Sequence, residues 1–518
     1  MKRIIALLMT TLLLLGSAPA SSAAETSRQD LYDLTKQGNM ATFVNYVDGY
    51  SLQVDGDMKA DMTDSDVVAV LENSSKRIEI FRQPLSGVGR AGYMNYSNRF
   101  TENTADHRIE YQGYQTIAGR QVHLVSWSRD KLSRVRNDKN FYLVMDLVEG
   151  NTAYTIFVKA NQPISNLGGY ATLIQDFKTF QPTKSAVHRK TTATDPETRG
   201  WNPETLEYYT RYFAEEAPLT WGIFEPTTAM FDYKTLDYFE NYIGYQFPII
   251  LNYSEFENTY KHPNLKERLD TAWKHGKVLE LTLQTNWKAA GTGNMVYDVL
   301  QGEYDSFLKD YAGVIADFDH PVLFRLGNEM NGDWCPYSSY HTSRDPMIFK
   351  EWYRYVYQIF EEAGADNVIW VWNPNGESFP DFRWNHTMMY YPGDEYVDVV
   401  GLTAYNTGTY YAATGEKWQT FDELYDWLYR DYVNRFSQPL MITEFASANT
   451  GGDKTQWVDN MFRSFRKYPG IKVAIWWDGA DKDAYGNIAR SYYIDEPKSV
   501  LDVFRKHLRD TWKFNSLG

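Results

Sequence analysis

Cys335 is the only cysteine in 518 residues, so no disulfide can close within the chain. A lone thiol just past a glutamate reads as packing rather than as a nucleophile. After the first few residues, no apolar run approaches the roughly 18 residues that a membrane-spanning helix needs. Positive charge is also short. Against 67 Asp and Glu stand 52 Lys and Arg, for a formal net charge of −15, and losing Lys2 and Arg3 would take it two units further. That balance excludes nucleic acid and anionic membrane surfaces as partners and favours a neutral ligand.

What the chain does carry begins at its start. Lys2 and Arg3 precede an apolar run from Ile4 to Leu15, followed by small residues at 18–20 and 22–24. Residues 1–24 therefore read as a bacterial secretory signal, and the mature protein is expected to be secreted, with no membrane span. Aromatic residues make up 16%, with 40 Tyr and 16 Trp. Rings that stack on sugar faces would account for that excess, an aromatic-rich core being the alternative.

A polar, Thr-rich stretch from Gln181 to Gly200 lacks apolar periodicity, and residues 183–200 are expected to be a linker. Upstream, residues 25–182 hold short strand-like runs such as Tyr50–Val54, Gln121–Trp127 and Tyr142–Leu147, with a helical pattern from Gly168 to Phe180. That order predicts a smaller α+β domain with a mainly antiparallel sheet. Downstream, residues 201–518 alternate strand with helix. Eight apolar runs begin near Thr220, Phe247, Val278, Val322, Val368, Val397, Leu440 and Val473. This is an α/β pattern and predicts a (β/α)8 TIM barrel.

Two of these strands lead into glutamates, Glu329 after the fourth and Glu444 in the seventh. A carboxylate at a buried strand tip is costly to desolvate, and a pair of them on opposed barrel strands suits glycoside hydrolysis. A period of two places Arg325, Gly327 and Glu329 on one face, and Leu440, Ile442 and Glu444 on one face of the other strand. Glu329, beside the neutral amide of Asn328, is expected to be the acid/base. Glu444, kept charged by Arg325, is expected to be the nucleophile. A separation of about 5 to 5.5 Å would make the reaction retaining, and a wider one inverting.

At these residues the chain resembles glycoside hydrolase family 26. Phe-Arg-Leu-Gly-Asn-Glu-Met-Asn-Gly-Asp-Trp at 324–334 and Thr-Glu-Phe at 443–445 are similar to that family's strand-four and strand-seven motifs. So are Val-Ile-Trp-Val-Trp-Asn-Pro-Asn at 368–375, the run from Tyr390 to Asn406, and Ala474 to Trp477. The resemblance implies a retaining barrel glycanase needing no metal or other cofactor, of a kind that is mostly endo-β-1,4-mannanase, with some mixed-linkage β-glucanases and β-1,3-xylanases. It implies Glu329 as acid/base, Glu444 as nucleophile and Tyr405 as a hydrogen-bond donor to that nucleophile. Trp476 would floor the subsite at the scissile bond, with Trp477 as the alternative, and Trp334 would line the cleft. Asn328 stands where mannanases of this family often have His, and Gln284 or Asn286 stands where their third strand often ends in His, so the sugar is left open.

The expectation is a secreted endo-β-glycanase on β-1,4-mannan or mixed-linkage β-1,3-1,4-glucan. Two alternatives are a polysaccharide-binding barrel without turnover and a hydrolase that trims the organism's own exopolysaccharide with the first domain as a docking module. None of the barrel resemblance reaches that first domain, whose element order resembles, in pattern alone, the Mog1/PsbP-like sandwich.

Overall fold

The computed structural model describes residues 29–256 and 264–509; the signal segment at 1–24 lies outside the described residues. The first domain is built from two antiparallel sheets. Tyr32–Gln37, Met40–Asn45, Tyr50–Asp55 and Lys178–Thr179 form the smaller. Seven strands from Lys59–Asp61 to Thr152–Ala160 form the larger. In the smaller sheet, buried and half-buried side chains alternate along Met40–Asn45 and Tyr50–Asp55, as expected where one face meets the core and the other meets water. Phe43, Tyr50, Leu52, Ile80 and Ile156 pack between the sheets.

The expected helix from Gly168 to Phe180 is not there. Leu167–Tyr170 and Thr172–Gln175 form single turns, and the chain then adds Lys178–Thr179 to the smaller sheet. One turn suffices to bury Leu173 and Ile174, and Phe177 stacks on Tyr50 at 5.5 Å, so the apolar spacing is used up without a helix.

In the larger sheet, Tyr142 to Asp146 and Ala153 to Ala160 are buried on both faces, because the second face lies against the barrel. Phe81, Tyr93, Phe100, Trp127 and Phe157 share one apolar cluster with Phe349, Trp352 and Trp384 of the barrel. Polar anchors cross the same interface. Buried Lys159 Nζ meets Glu79 at 2.9 Å and Asp345 at 2.6 Å. Fully buried Arg344 donates to Tyr93 Oη at 2.9 Å and lies over the Trp384 ring.

The stretch expected to be a linker is an ordered strap bonded to both domains. Arg189 N–H donates to Asp64 at 2.9 Å, Thr191 N–H to the Arg435 carbonyl at 2.8 Å, and Arg199 pairs with Asp398 at 2.7 Å. Thr191 is buried, so this polar sequence binds its partners through hydrogen bonds where apolar periodicity would have betrayed packing.

Eight parallel strands close the barrel: β1 (Thr220–Phe224), β2 (Ile249–Glu255), β3 (Val278–Gln284), β4 (Val322–Leu326), β5 (Val368–Trp372), β6 (Val399–Thr403), β7 (Leu440–Phe445) and β8 (Ile471–Trp477). Thr220 of β1 pairs with Val473 of β8, which completes the ring. The helix Pro203–Phe213, capped by the Asn202 side chain, plugs the interior with Tyr208, Tyr209, Tyr212 and Phe213 against Ile249, Leu323, Met441 and Val473. The opposite end is thereby left to the loops that follow the strands. Among the described residues, no helix is long and apolar enough to cross a membrane.

Candidate active site

Alternation along β4 ends at Leu326, earlier than the sequence pattern suggests, and Glu329 reaches the barrel mouth by a turn instead of by the pleat. Gly327 and Glu329 both adopt left-handed backbone, at φ 58° and 53°. A side chain at Gly327 would fall 2.7 Å from the Trp352 ring, so only glycine fits. Glu329 is a non-glycine residue in a sparsely populated region, a form of strain that clusters at functional sites. Its backbone is held by a 2.7 Å bond from its N–H to the Asn373 carbonyl, and its Oε2 accepts from Trp334 Nε1 at 3.0 Å.

Glu444 enters the barrel by a different device. Met441 and Thr443 face inward while Leu440, Ile442 and Phe445 face the helices, so strict alternation would have pointed Glu444 outward. The expected shared face of Leu440, Ile442 and Glu444 is therefore corrected. Register shifts between Leu402 and Thr403 on β6, and between Ile442 and Phe445 on β7, mark a bulge that turns Glu444 inward.

Inside, Arg325 Nη1 meets Glu444 Oε1 at 2.7 Å, and the guanidinium also donates to Thr282 Oγ1 and Asn373 Oδ1, each at 2.7 Å. Tyr405 Oη donates to Glu444 Oε2 at 3.0 Å, and Asn328 Nδ2 lies 3.5 Å from Oε1. Asn328 is itself held by Tyr337, whose hydroxyl donates to its carbonyl at 2.6 Å. Glu444 is 5% exposed yet surrounded by hydrogen-bond donors.

Glu329 has a contrasting environment. Burial, then the charge of Glu444, pushes its carboxyl up to about 8, while the Trp334 bond and Arg325 oppose the rise. At neutral pH it holds its proton. Two carboxyl groups with unequal surroundings thus share the mouth of the barrel.

Glu329, Glu444, Arg325, Asn328, Trp334 and Tyr405 all converge here, and Trp476 does not. Val473 and Ile475 line the interior, so parity sends Trp476 to the helix side, where it is fully buried against Phe445 and Phe504. Trp477 takes the inward place, stacked on Phe224 at 5.2 Å and meeting Tyr405 edge-on at 6.2 Å. Cys335 is buried, its Sγ 3.5 Å from the Asn328 carbonyl, and its thiol is pushed well above its ordinary range, so it packs and does not react. Asn286 donates to Glu255 at 2.8 Å, whereas Gln284 continues the inward face of β3.

Three participants escaped the sequence reading. Tyr253 of β2 accepts from Trp477 Nε1 at 3.2 Å and has Arg325 over its ring. Asn373, within a motif already singled out, orients Arg325. Glu280 of β3 is fully buried 3.3 Å from Arg325 Nε, neither oxygen accepts a hydrogen bond, and burial pushes its carboxyl up to about 8. Its signal was the polar residue alternating with leucines in Val-Leu-Glu-Leu-Thr-Leu-Gln. Among the described residues, no group of three or more His, Cys, Asp or Glu is arranged to hold a metal ion.

Residues 292–424 match the family model described as glycosyl hydrolase family 26. Over 240 residues the chain is 30% identical to Endoglucanase H of Acetivibrio thermocellus, covering 46% of this chain and 25% of that protein. Over 244 residues it is 32% identical to a mannan endo-1,4-beta-mannosidase of Bacillus subtilis, covering 43% of this chain and 61% of the relative. The chain thus spans a quarter to about three fifths of the length of these relatives. The solved Bacillus subtilis mannanase man26 aligns with 63% of this chain and 99% of its own, at 20% identity and a TM-score of 0.42. The barrel's resemblance to glycoside hydrolase family 26 stands on the family match and these curated relatives.

Proposed function

From a barrel that resembles glycoside hydrolase family 26, we propose that the protein is a secreted, retaining endo-β-glycanase acting on β-1,4-mannan or mixed-linkage β-1,3-1,4-glucan. The observation that carries the reading is the unequal pair: Glu329 protonated by burial, and Glu444 held by Arg325, Tyr405 and Asn328. The signal-like pattern of residues 1–24 supports secretion.

In the first step, Glu329 gives its proton to the glycosidic oxygen as that oxygen leaves the anomeric carbon. A Glu444 carboxylate oxygen attacks the same carbon from the opposite face, forming a glycosyl ester. Glu329, now a carboxylate, takes a proton from water, whose oxygen displaces Glu444 and restores both groups. Tyr405 and Arg325 hold Glu444 in line and stabilise the negative charge that returns to its carboxylate as the ester breaks. Trp477 offers an aromatic face beside Tyr405 for the sugar ring.

The test is product analysis on mannan, lichenan, β-1,3-xylan and cellulose, with the anomer of the first product read by NMR. Retention of configuration is expected. Glu329→Ala or Glu444→Ala variants that hydrolyse these glycans as fast as the parent would show the pair to be misassigned.

A further inference from the structure

Where the two domains meet lies a groove of about 470 Å³, walled by Gln83, Ser86 and Tyr96 of the first domain and by Pro380, Asp381 and Phe382 of the loop after β5. Its base is rigid. Tyr93 meets Phe382 edge-on at 4.8 Å, and Gln83 Oε1 accepts the Arg383 N–H at 2.8 Å. On the helix Gly89–Ser97, Tyr93, Met94 and Ser97 are buried, whereas Tyr96 is 49% exposed and presents its ring to the groove.

A single loop connects the groove to the glutamate pair. Pro380 follows Phe379, which is 43% exposed and packs on Trp334 at 5.3 Å. Trp334 in turn bonds Glu329, and the Phe379 N–H donates to the Asn331 carbonyl at 2.9 Å, within the loop that carries the acid/base. Two exposed rings, Trp334 and Phe379, thus lead from Glu329 toward the Pro380 wall of the groove that Tyr96 also lines. An aromatic face flanked by amide, hydroxyl and carboxylate groups suits a sugar, whose C–H face stacks while its hydroxyls donate and accept.

We propose that this interdomain groove is a distal subsite of the cleft, taking sugar units of a β-glycan chain remote from the scissile bond. Tyr96 is the stacking platform and Asp381 accepts from sugar hydroxyls. The inference rests on the glycanase reading above. It also makes the first domain part of the substrate-binding surface, so chain length and not only the scissile linkage sets efficiency, because binding energy from remote sugars is spent at the reacting centre.

The test uses the full chain and oligosaccharides of increasing length from one cleaved glycan, with Tyr96→Ala and Asp381→Asn variants. Tyr96→Ala is expected to lower kcat/KM on the longest chains about three- to tenfold, the loss shrinking steadily as the substrate shortens. Asp381→Asn should show a smaller loss with the same length dependence. A loss that is equal at every length, or absent at every length, overturns the groove while leaving the glycanase standing. A parent that cleaves no β-glycan overturns both.

Discussion

Replacing Trp334 with phenylalanine removes one hydrogen bond from Glu329 and keeps a ring against Phe379. The Trp334 Nε1–H donates to Glu329 Oε2 at 3.0 Å, which favours the ionised carboxylate and holds its pKa below what burial and Glu444 would impose. Hydrogen bonds to charged groups contribute about 1.5–3 kcal/mol when desolvated. Trp334 is 44% exposed, so water replaces part of the lost bond, and about 1 kcal/mol remains. At 1.36 kcal/mol per unit, that raises the Glu329 pKa by roughly 0.7 from its starting point near 8. In the proposed mechanism Glu329 acts as an acid while protonated, so the basic limb of kcat/KM should move upward in pH by that amount. The assay is reducing-sugar release from a soluble β-glycan between pH 5 and pH 10, fitted for the limb position independently of the absolute rate. A limb that stays in place or moves downward would refute the role given to this bond.

Removing the buried cation by Arg325→Met leaves Glu444 without its 2.7 Å partner, at a cost of about 3–5 kcal/mol in denaturant unfolding and a drop in kcat of about 10² or more; unchanged stability would contradict the burial argument. Glu280 keeps in the folded chain, up to about pH 8, a proton that the unfolded chain releases above about pH 4.3, so it makes stability fall as pH rises between those values. Glu280→Gln should therefore flatten that slope and raise stability at pH 8 by up to about 5 kcal/mol relative to pH 4; a steeper slope in thermal scans would count against it. The barrel expressed alone, residues 201–518, would uncover Arg344 and the apolar face beneath the first domain, and should be recovered aggregated. Soluble, cooperatively unfolding barrel would show the interface to be dispensable.

Much of the fold was legible because parallel strands buried on both faces read as unbroken apolar runs, and all eight barrel strands begin at or within two residues of where those runs lie. The two glutamates were legible for a similar local reason: an acidic residue directly after such a run stands out. The strap at 183–200 was not legible as packed structure, since its contacts are polar and reach residues such as Asp64 and Arg435 that lie far away in sequence. Nor was the short turn at Thr172–Gln175, where burial of Leu173, Ile174 and Phe177 imitates a longer helix.

By itself, the sequence determined the barrel, its antiparallel companion and the identity of the acidic pair, because each is written in the spacing of consecutive residues. Only the tertiary structure decided which way those residues face. Alternation has no absolute phase until one strand is packed, so Trp476 and Trp477 could exchange roles, and a bulge in β7 inverted Glu444 relative to its own strand. The neutrality of Glu329, the third carboxylate at Glu280 and the groove under Tyr96 likewise depend on what stands opposite. Desolvation and charge act through space, across residues that local periodicity does not connect.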